Sequence, residues 1–256
     1  MTRTATTPNR LTSTPDNIVQ WGHYIWPAVI AGFEPILLAF GGSTMSVPDG
    51  QTCNLEHPDS IRAFQFIQDM MWVDHTAITP QVEQENAGKY RFALGELAML
   101  GGAHWMTDII NDQNPDLNYD VAALPAEQAG NASVVHVHGW AFYSGSQNKD
   151  LAWHFVQWVS TEGAGPEMGL IPAYRDLALS DVFLERPGEP EHLQEAFLEP
   201  ADWPLTMGPT AFSDKYAQIL GPDGYGLAIE AIMLNEMPAA EALAGVCEVV
   251  DAIMNE

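Results

Sequence analysis

The stretch Phe92-Ala-Leu-Gly-Glu-Leu-Ala-Met-Leu-Gly-Gly-Ala-His-Trp105 organises the interpretation of the whole chain. It predicts a helix end, a tight turn, a short buried strand over 97–100 and a Gly-Gly turn that leads into the next helix. Trp105 then lies just beyond the carboxyl end of a strand, where open α/β sheets hold their ligands. The stretch therefore predicts a fold element and a candidate ligand contact.

Helical and strand-like segments alternate around this stretch. The clearest helix opens at Pro58 and continues to about Val73, with apolar residues at helical spacing. Further helices are predicted at 148–160, 210–220, 225–234 and 238–254, and further strands at 119–125 and 134–143. The apolar segment 21–40 contains two prolines and predicts a helix broken by them. The alternation, with no internal repeat, indicates an α/β fold.

The charge of the chain is strongly one-sided. Its 256 residues include 34 acidic and 9 basic side chains, so that the formal net charge is −25. Nucleic acids and anionic lipids need clustered Lys and Arg, so the charge argues against both as partners. No run of 18 apolar residues predicts a transmembrane segment. Residues 1–14 are polar and have no apolar core typical of a signal peptide.

The two cysteines, Cys53 and Cys247, are far apart in sequence. Two such residues form neither a disulfide framework nor a metal cluster. Cys247 lies on an apolar helical face, which favours a small buried side chain. A single bridge between the two is compatible with an exported protein, but the sequence does not decide whether it forms.

Several motifs, taken in order, resemble the family 1 extracellular solute-binding proteins of ABC importers. The Phe92–Trp105 stretch resembles the family's F-x-x-G-E-x-A-M-x-x-G-x-x-W signature. The other matching pieces are Leu11-Thr12 with Gly22, Gly41-Gly42, the helix from Pro58, the strand 119–125, the helix start 148–155, Ile171-Pro172-Ala173 and the final helix. The resemblance implies an α/β fold of the type II periplasmic-binding-protein kind.

The resemblance also implies a division into lobes. Residues 1–122 and 173–256 correspond to the C-terminal lobe, and 123–172 correspond to the returning segment of the N-terminal lobe with its hinge strands. Most of the family's N-terminal lobe and its signal peptide have no counterpart in this sequence. The resemblance therefore suggests a gene fragment, a wrong start site or a truncation. The strand 134–143 and the helix carrying Phe155 would then expose apolar surface, so we expect reduced stability or self-association, and weak or no ligand binding.

By resemblance, the chain binds a sugar or a similar small solute between two lobes and delivers it to a membrane permease. Peptides, polyols and phosphorylated solutes stay open as alternatives. A periplasmic or cell-surface location is implied, and no cofactor is expected. The site residues implied by the family's cleft are Trp105, Tyr24, Trp26, Gly139, Trp140 and Arg175. Each has a structural alternative, which is a core aromatic position for the rings and an ion pair for Arg175.

The main alternative hypothesis is a metal-binding protein. His136 and His138 are two residues apart, so on a strand they would share one face and could ligate one ion. His104 or His23 could supply a third ligand, but the spacing matches no known metal motif. No nucleophile elbow, P-loop or dinucleotide fingerprint occurs, so the chain is not expected to be an enzyme.

Overall fold

The structure is a computed structural model that describes residues 20–27, 32–46, 49–83, 88–136, 138–161, 170–204 and 214–256. Strand β1 (Trp21–Tyr24) pairs in parallel with β2 (Leu97–Leu100), with Trp21 opposite Leu97. A parallel bridge from His23 to Ala77 extends the pairing on the other side of β1. The predicted strand over 97–100 is confirmed.

The prediction of a broken helix over 21–40 was wrong in its first part. Residues 21–24 form β1, because the Trp21 and His23 amides donate to the Glu96 and Thr76 carbonyls on either side. Periodicity alone does not separate a short buried strand from a buried helix segment. Helix α1 spans Glu34–Phe40, and residues 28–31 lie outside the described residues.

The main hydrophobic core forms around helix α2 (Pro58–Trp72), as its spacing predicted. Pro58 occupies the first helical position, and His57 caps the helix by accepting the Asp59 amide. The apolar face of α2 buries Phe64 and Ile67 completely. The helices that surround it include α1, α9 (Tyr216–Leu220), α10 (Gly226–Met233), α11 (Ala239–Ala242) and α12 (Val246–Met254).

The single final helix predicted over 238–254 is divided into α11 and α12. Gly245 has a φ of 80° and precedes α12, so the chain turns where a regular helix would continue. A disulfide between Cys53 and Cys247 then fixes the first turn of α12 to the segment before α2. The bridge left open by the sequence is therefore formed.

The chain divides into two compact units. The first comprises the described residues up to Gly102, 124–134 and Trp203 onward, and the second comprises Ala103–Ala123 and Val135–Asp202. The first unit also contains α3 (Pro80–Glu83) and α4 (Gly88–Ala93). The second unit contains α5 (Met106–Gln113), α6 (Lys149–Thr161), α7 (Arg175–Ala178), α8 (Asp181–Leu184), a π-helical turn (Gln194–Leu198) and a 3-10 turn (Glu199–Asp202).

Two predicted strands are irregular in the structure. The described residues of 119–125 and 134–143 are in no strand. Strand propensity reflects how well side chains pack on a sheet, so a β-prone run with no sheet beside it need not form a strand. No helix among the described residues is long and apolar enough to cross a bilayer. The lobe boundaries at 122 and 172 stay a prediction.

Candidate functional site

The turn before β2 is built from local contacts. Gly95 has a φ of 77°, a conformation that favours glycine. Its amide donates to the Phe92 carbonyl at 3.0 Å, and the Glu96 amide donates to the Arg91 carbonyl at 2.8 Å. The Arg91 guanidinium also pairs with the Glu96 carboxylate at 3.1 Å. These bonds end α4 and direct β2 into the sheet, as the sequence stretch predicted.

Two aromatic residues lie at the carboxyl end of β1. Tyr24 is its last residue and is only 9% exposed, and Trp26 is half-buried two positions later. Both pack with Ile78 and Leu97 in a small apolar cluster. Because β1 and β2 are parallel, their carboxyl ends lie at the same edge of the sheet, and β2 ends there just before Gly101. Tyr24 and Trp26 therefore lie at a ligand-favoured edge, although Tyr24 is mainly a core residue.

Trp105 is held at the start of α5 by its buried neighbour His104. Trp105 is half-buried and precedes the first helical residue, Met106. The His104 imidazole Nε2 lies 3.0 Å from Glu189 Oε2, and both side chains are less than 5% exposed. The rings of Phe183 and Phe197 pack on the imidazole at centroid distances of 5.2 and 5.7 Å. These contacts fix the backbone that carries Trp105.

The carboxylates of Glu189 and Asp108 lie beside α5 and share one arginine. Arg186 bridges Glu189 and Asp108, with nitrogen–oxygen distances of 3.4 and 3.0 Å. Tyr119 donates to Asn111 Oδ1 on α5 at 3.2 Å. Burial, together with the charges of Glu189 and Asp108, raises the pKa of Tyr119 to about 12. In these surroundings the Tyr119 hydroxyl is favoured in its neutral form, which can donate a hydrogen bond, over its anionic form.

Gly139 and Trp140 lie on an exposed irregular segment of the second unit. Trp140 is 53% exposed, and its ring meets Phe155 of α6 edge to face at 6.3 Å. The space around Gly139 is open, with nothing within 4 Å of a Cβ placed there. Both residues are therefore accessible from solvent.

Arg175 forms the ion pair that the sequence left as an alternative. Its two terminal nitrogens donate to the two carboxylate oxygens of Asp202 at 3.1 and 2.9 Å. Both side chains are more than half exposed. Arg175 begins α7, and a ligand would have to share or displace Asp202 to reach the guanidinium.

The structure does not favour the metal hypothesis. His136 and His138 are largely exposed, and partial burial of the His136 imidazole, together with the neighbouring His138, lowers the pKa of His136. Within the described ranges, the one group of three potential ligands consists of Asp120, Glu191 and His192, all exposed. His104 is engaged by Glu189 instead. His136 and His138 therefore lack a third ligand in the part of the chain that is described.

A pocket of about 270 Å³ in the first unit was missed by sequence reasoning. Its lining consists of Ala129, Gly130, Asn131, Trp203 and Pro204. The wall at 129–130 is anchored, because the Ala129 amide donates to the Ala39 carbonyl at 3.0 Å and Gln128 donates to the Phe40 carbonyl at 2.9 Å. The pocket is open to solvent on one side, and its indole and asparagine amide are side chains of the kinds that bind rings with hydroxyls. No local motif marks these distant residues as neighbours.

Comparison with known proteins decides the family. Residues 17–166, more than half of the chain, match the bacterial extracellular solute-binding protein family. The chain belongs to that family. A maltotriose-binding protein of Pyrococcus abyssi (strain GE5 / Orsay) is 24% identical over 193 residues, which are 68% of this chain and 40% of that solute-binding protein.

Solved solute-binding proteins share the fold. The substrate-binding protein Lmo0181 from Listeria monocytogenes, in complex with cycloalternan, has a TM-score of 0.72 at 16% identity and covers 95% of this chain. The MalE domain from Bdellovibrio bacteriovorus, bound to maltotriose, has a TM-score of 0.71 at 15% identity and covers 98%. The match spans 61% and 64% of those chains. The type II α/β fold is thereby confirmed over about three-fifths of its usual length, and the matching relatives are binding proteins, not enzymes.

Proposed function

We propose that this chain is part of the substrate-binding component of an ABC importer that takes up a carbohydrate. The observation that carries the proposal is that family members with this fold include proteins named for maltotriose or solved with maltotriose and cycloalternan. Sugars bind through apolar ring patches stacked on aromatic faces and through hydrogen bonds to their hydroxyls. The carboxylates of Glu189 and Asp108 beside α5 and the net charge of −25 support a neutral ligand over a phosphorylated one.

The proposed ligand contacts fall into two groups. Tyr24 ends β1, Trp26 lies two residues beyond it, and Trp105 follows β2. Trp203 and Asn131 are proposed to add an aromatic ring and an amide from the pocket. Gly139 and Trp140 are proposed as contacts from the returning segment, and Arg175 is proposed as a contact at the rim of the cleft. Arg175 has the least support, because Asp202 already occupies its guanidinium.

In the whole protein, we propose that the ligand lies in a cleft between two lobes. Residues 1–122 and 173–256 would belong to the C-terminal lobe, and 123–172 to the other. Contacts from both lobes would favour the closed form, which a permease would then recognise. A location outside the cytoplasmic membrane is supported by the Cys53–Cys247 disulfide, because such bonds persist in oxidising compartments.

Saturation-transfer NMR tests the proposal directly. The chain is mixed with maltotriose, maltotetraose, a free amino acid and inorganic phosphate, each in separate samples. We expect transfer to the sugar ring protons and none to the other solutes. The affinity expected is weak, with a dissociation constant of about 1 mM, which corresponds to about 4 kcal/mol of binding free energy.

A Trp105→Ala variant serves as the site control, and Trp153→Ala serves as the matched variant at an exposed tryptophan outside the proposed contacts. Trp105→Ala is expected to reduce the transfer and Trp153→Ala to preserve it. Equal transfer to every solute, or transfer to the amino acid or to phosphate instead of the sugars, would count against a carbohydrate site. Nanomolar to micromolar binding by calorimetry would contradict the expectation of weak affinity.

A further inference from the structure

The turn at residues 186–189, in the second unit, is closed in the way that its sequence favours. The Glu189 amide donates to the Arg186 carbonyl at 3.1 Å, and Gly188, the third residue of the turn, has a φ of 88°. Pro187 is the second residue. A proline followed by a glycine at positive φ is the pattern of a type II turn, and the proline ring fixes its own φ. The two ends of the turn are therefore held in a fixed relation.

Charged side chains at both ends of this turn contact α5 and the residues just before it. Glu189 Oε2 lies 3.0 Å from His104 Nε2, and these two side chains are 4% and 2% exposed. Arg186 donates to Asp108 Oδ1 at 3.0 Å and also lies 3.4 Å from Glu189 Oε1. The Glu189 carboxylate is thus buried between an imidazole and a guanidinium.

A third contact continues along the same side of α5. The Asn111 side-chain amide donates to the Gly188 carbonyl at 2.8 Å. His104, Asp108 and Asn111 are spaced i, i+4 and i+7, so they lie on one side of the helix and of the turn that leads into it. We call the residues in these contacts the α5 clamp, and its members are His104, Asp108, Asn111, Arg186, Gly188 and Glu189.

The residues on both sides of Trp105 are buried. His104 is 3% exposed and Met106 is 4% exposed. The His104 carbonyl accepts the Thr107 amide at 2.9 Å and the Thr107 hydroxyl at 2.8 Å. His104 is thus held through its main chain by Thr107 and through its imidazole by Glu189. The Trp105 backbone is fixed between these neighbours, while Trp105 itself is half-buried.

We propose that the α5 clamp is a positioning device that holds Trp105 in its ligand-binding orientation. The proposal rests on the proposed function, in which Trp105 stacks on a sugar ring. Ordering a side chain or a loop on binding costs affinity, and a site that is ordered before the ligand arrives avoids this cost. The clamp residues act through Trp105 and need no contact with the sugar. Breaking the clamp should therefore weaken sugar binding although the Trp105 ring is still present.

An Arg186→Gln/Asn111→Ala variant tests the proposal, because it removes two of the three contacts and keeps the buried pair of His104 and Glu189. In the chain without sugar, NMR relaxation of the Trp105 indole N–H group should show increased motion in this variant. The indole signal is identified by its loss in Trp105→Phe. In a titration with maltotriose, the affinity should fall about 3- to 10-fold, the amount expected when one or two side chains must be ordered on binding.

Two variants serve as matched controls. Arg62→Gln makes the same arginine change in an i, i+3 pair with Asp59 in the first unit, where the two side chains lie 2.8 Å apart. Val159→Ala destabilises the second unit at a buried position outside the clamp. Both controls should leave the Trp105 indole motion and the maltotriose affinity unchanged.

The two measurements separate failure of the clamp from failure of the proposed function. If the unmodified chain binds no maltotriose, the proposed function fails, while increased indole motion in the clamp variant still supports the positioning of Trp105. Unchanged indole motion in the clamp variant overturns the proposal whether or not a sugar binds. An unchanged affinity despite a mobile indole overturns it too. So does an equal loss of affinity in Val159→Ala, since general destabilisation would then explain the effect.

Discussion

Cys53 and Cys247 are joined by a disulfide across 194 positions of sequence, with their Cα atoms 5.1 Å apart. Hydrogen bonds flank the bridge on both sides. The Cys53 amide donates to Asp251 Oδ1 at 2.7 Å, and the Cys247 amide donates to Glu56 Oε1 at 3.0 Å. The segment before α2 and helix α12 are thus clamped together by one covalent and two polar contacts.

Loss of this bridge should destabilise the chain. A Cys53→Ala/Cys247→Ala variant, or reduction of the unmodified chain, is expected to lower the free energy of unfolding by about 2–5 kcal/mol, because a long loop in the unfolded state is released. Urea unfolding with and without reductant measures the difference. The reductant should leave the double variant unaffected. Equal unfolding midpoints for the oxidised and reduced chain would contradict the prediction.

Glu34 should make stability fall as the pH rises. Its side chain is fully buried, and its carboxylate oxygens accept the Thr44 amide at 3.2 and 3.3 Å. Burial raises its pKa from 4.5 to about 7. The folded state therefore holds a proton that the unfolded state has lost between these values, and unfolding becomes easier across pH 4.5 to about 7.

Glu34→Gln removes this dependence. Between pH 4.5 and pH 8, the unfolding free energy of the unmodified chain should fall by roughly 2–4 kcal/mol more than that of the variant. This amount follows from the size of the pKa difference of Glu34. Urea unfolding at both pH values gives this quantity, and the change of shape from Glu to Gln cancels in the comparison. Glu230→Gln, at an exposed position on α10, serves as the surface control. Parallel pH profiles for Glu34→Gln and the unmodified chain would contradict the assignment.

His104→Ala should destabilise the second unit. The substitution leaves the Glu189 carboxylate buried without its imidazole partner and removes the contacts to Phe183 and Phe197. We expect a loss of about 3 kcal/mol, because a buried carboxylate loses a hydrogen-bond partner and the missing imidazole leaves a cavity, while Arg186 still contacts Glu189. His104→Gln, which can keep a hydrogen bond, should lose less. Chemical denaturation checks both, and a loss below about 1 kcal/mol for His104→Ala would show that the pair is not stabilising.

The segments that the sequence predicted correctly are those with local causes. Helix α2 has a proline start and a regular apolar face, and β2 is bounded by the Gly95 turn. The errors concern long-range partners. Strand β1 depends on residues more than 50 positions away, and residues 134–143 have strand-forming side chains but are in no strand in the described structure. A pattern in a single sequence indicates the strand propensity of its residues, whereas a strand forms only when another strand pairs with it.

For the candidate site, too, the sequence indicates local features and gives no sign of long-range contacts. Trp105 could be proposed as a contact from the sequence because its motif is continuous. The pairing of His104 with Glu189 spans 85 positions, and the pocket brings Asn131 to Trp203 across the first unit, so neither leaves a local signal. Arg175 could not be assigned from sequence, because an ion-pairing arginine and a ligand-binding arginine carry the same residue type.

Trp203→Ala tests whether the missed pocket contributes to sugar binding. If a sugar ring stacks on Trp203 beside Asn131, the substitution removes about 1–2 kcal/mol of binding free energy, which is roughly a 5- to 30-fold loss of affinity for maltotriose. Asn131→Ala should cost less, since it removes a single exposed amide. Both affinities are measured by NMR titration, with Trp153→Ala as the control. An unchanged affinity in Trp203→Ala, alongside a loss in Trp105→Ala, would exclude the pocket and restrict the ligand to the strand edge.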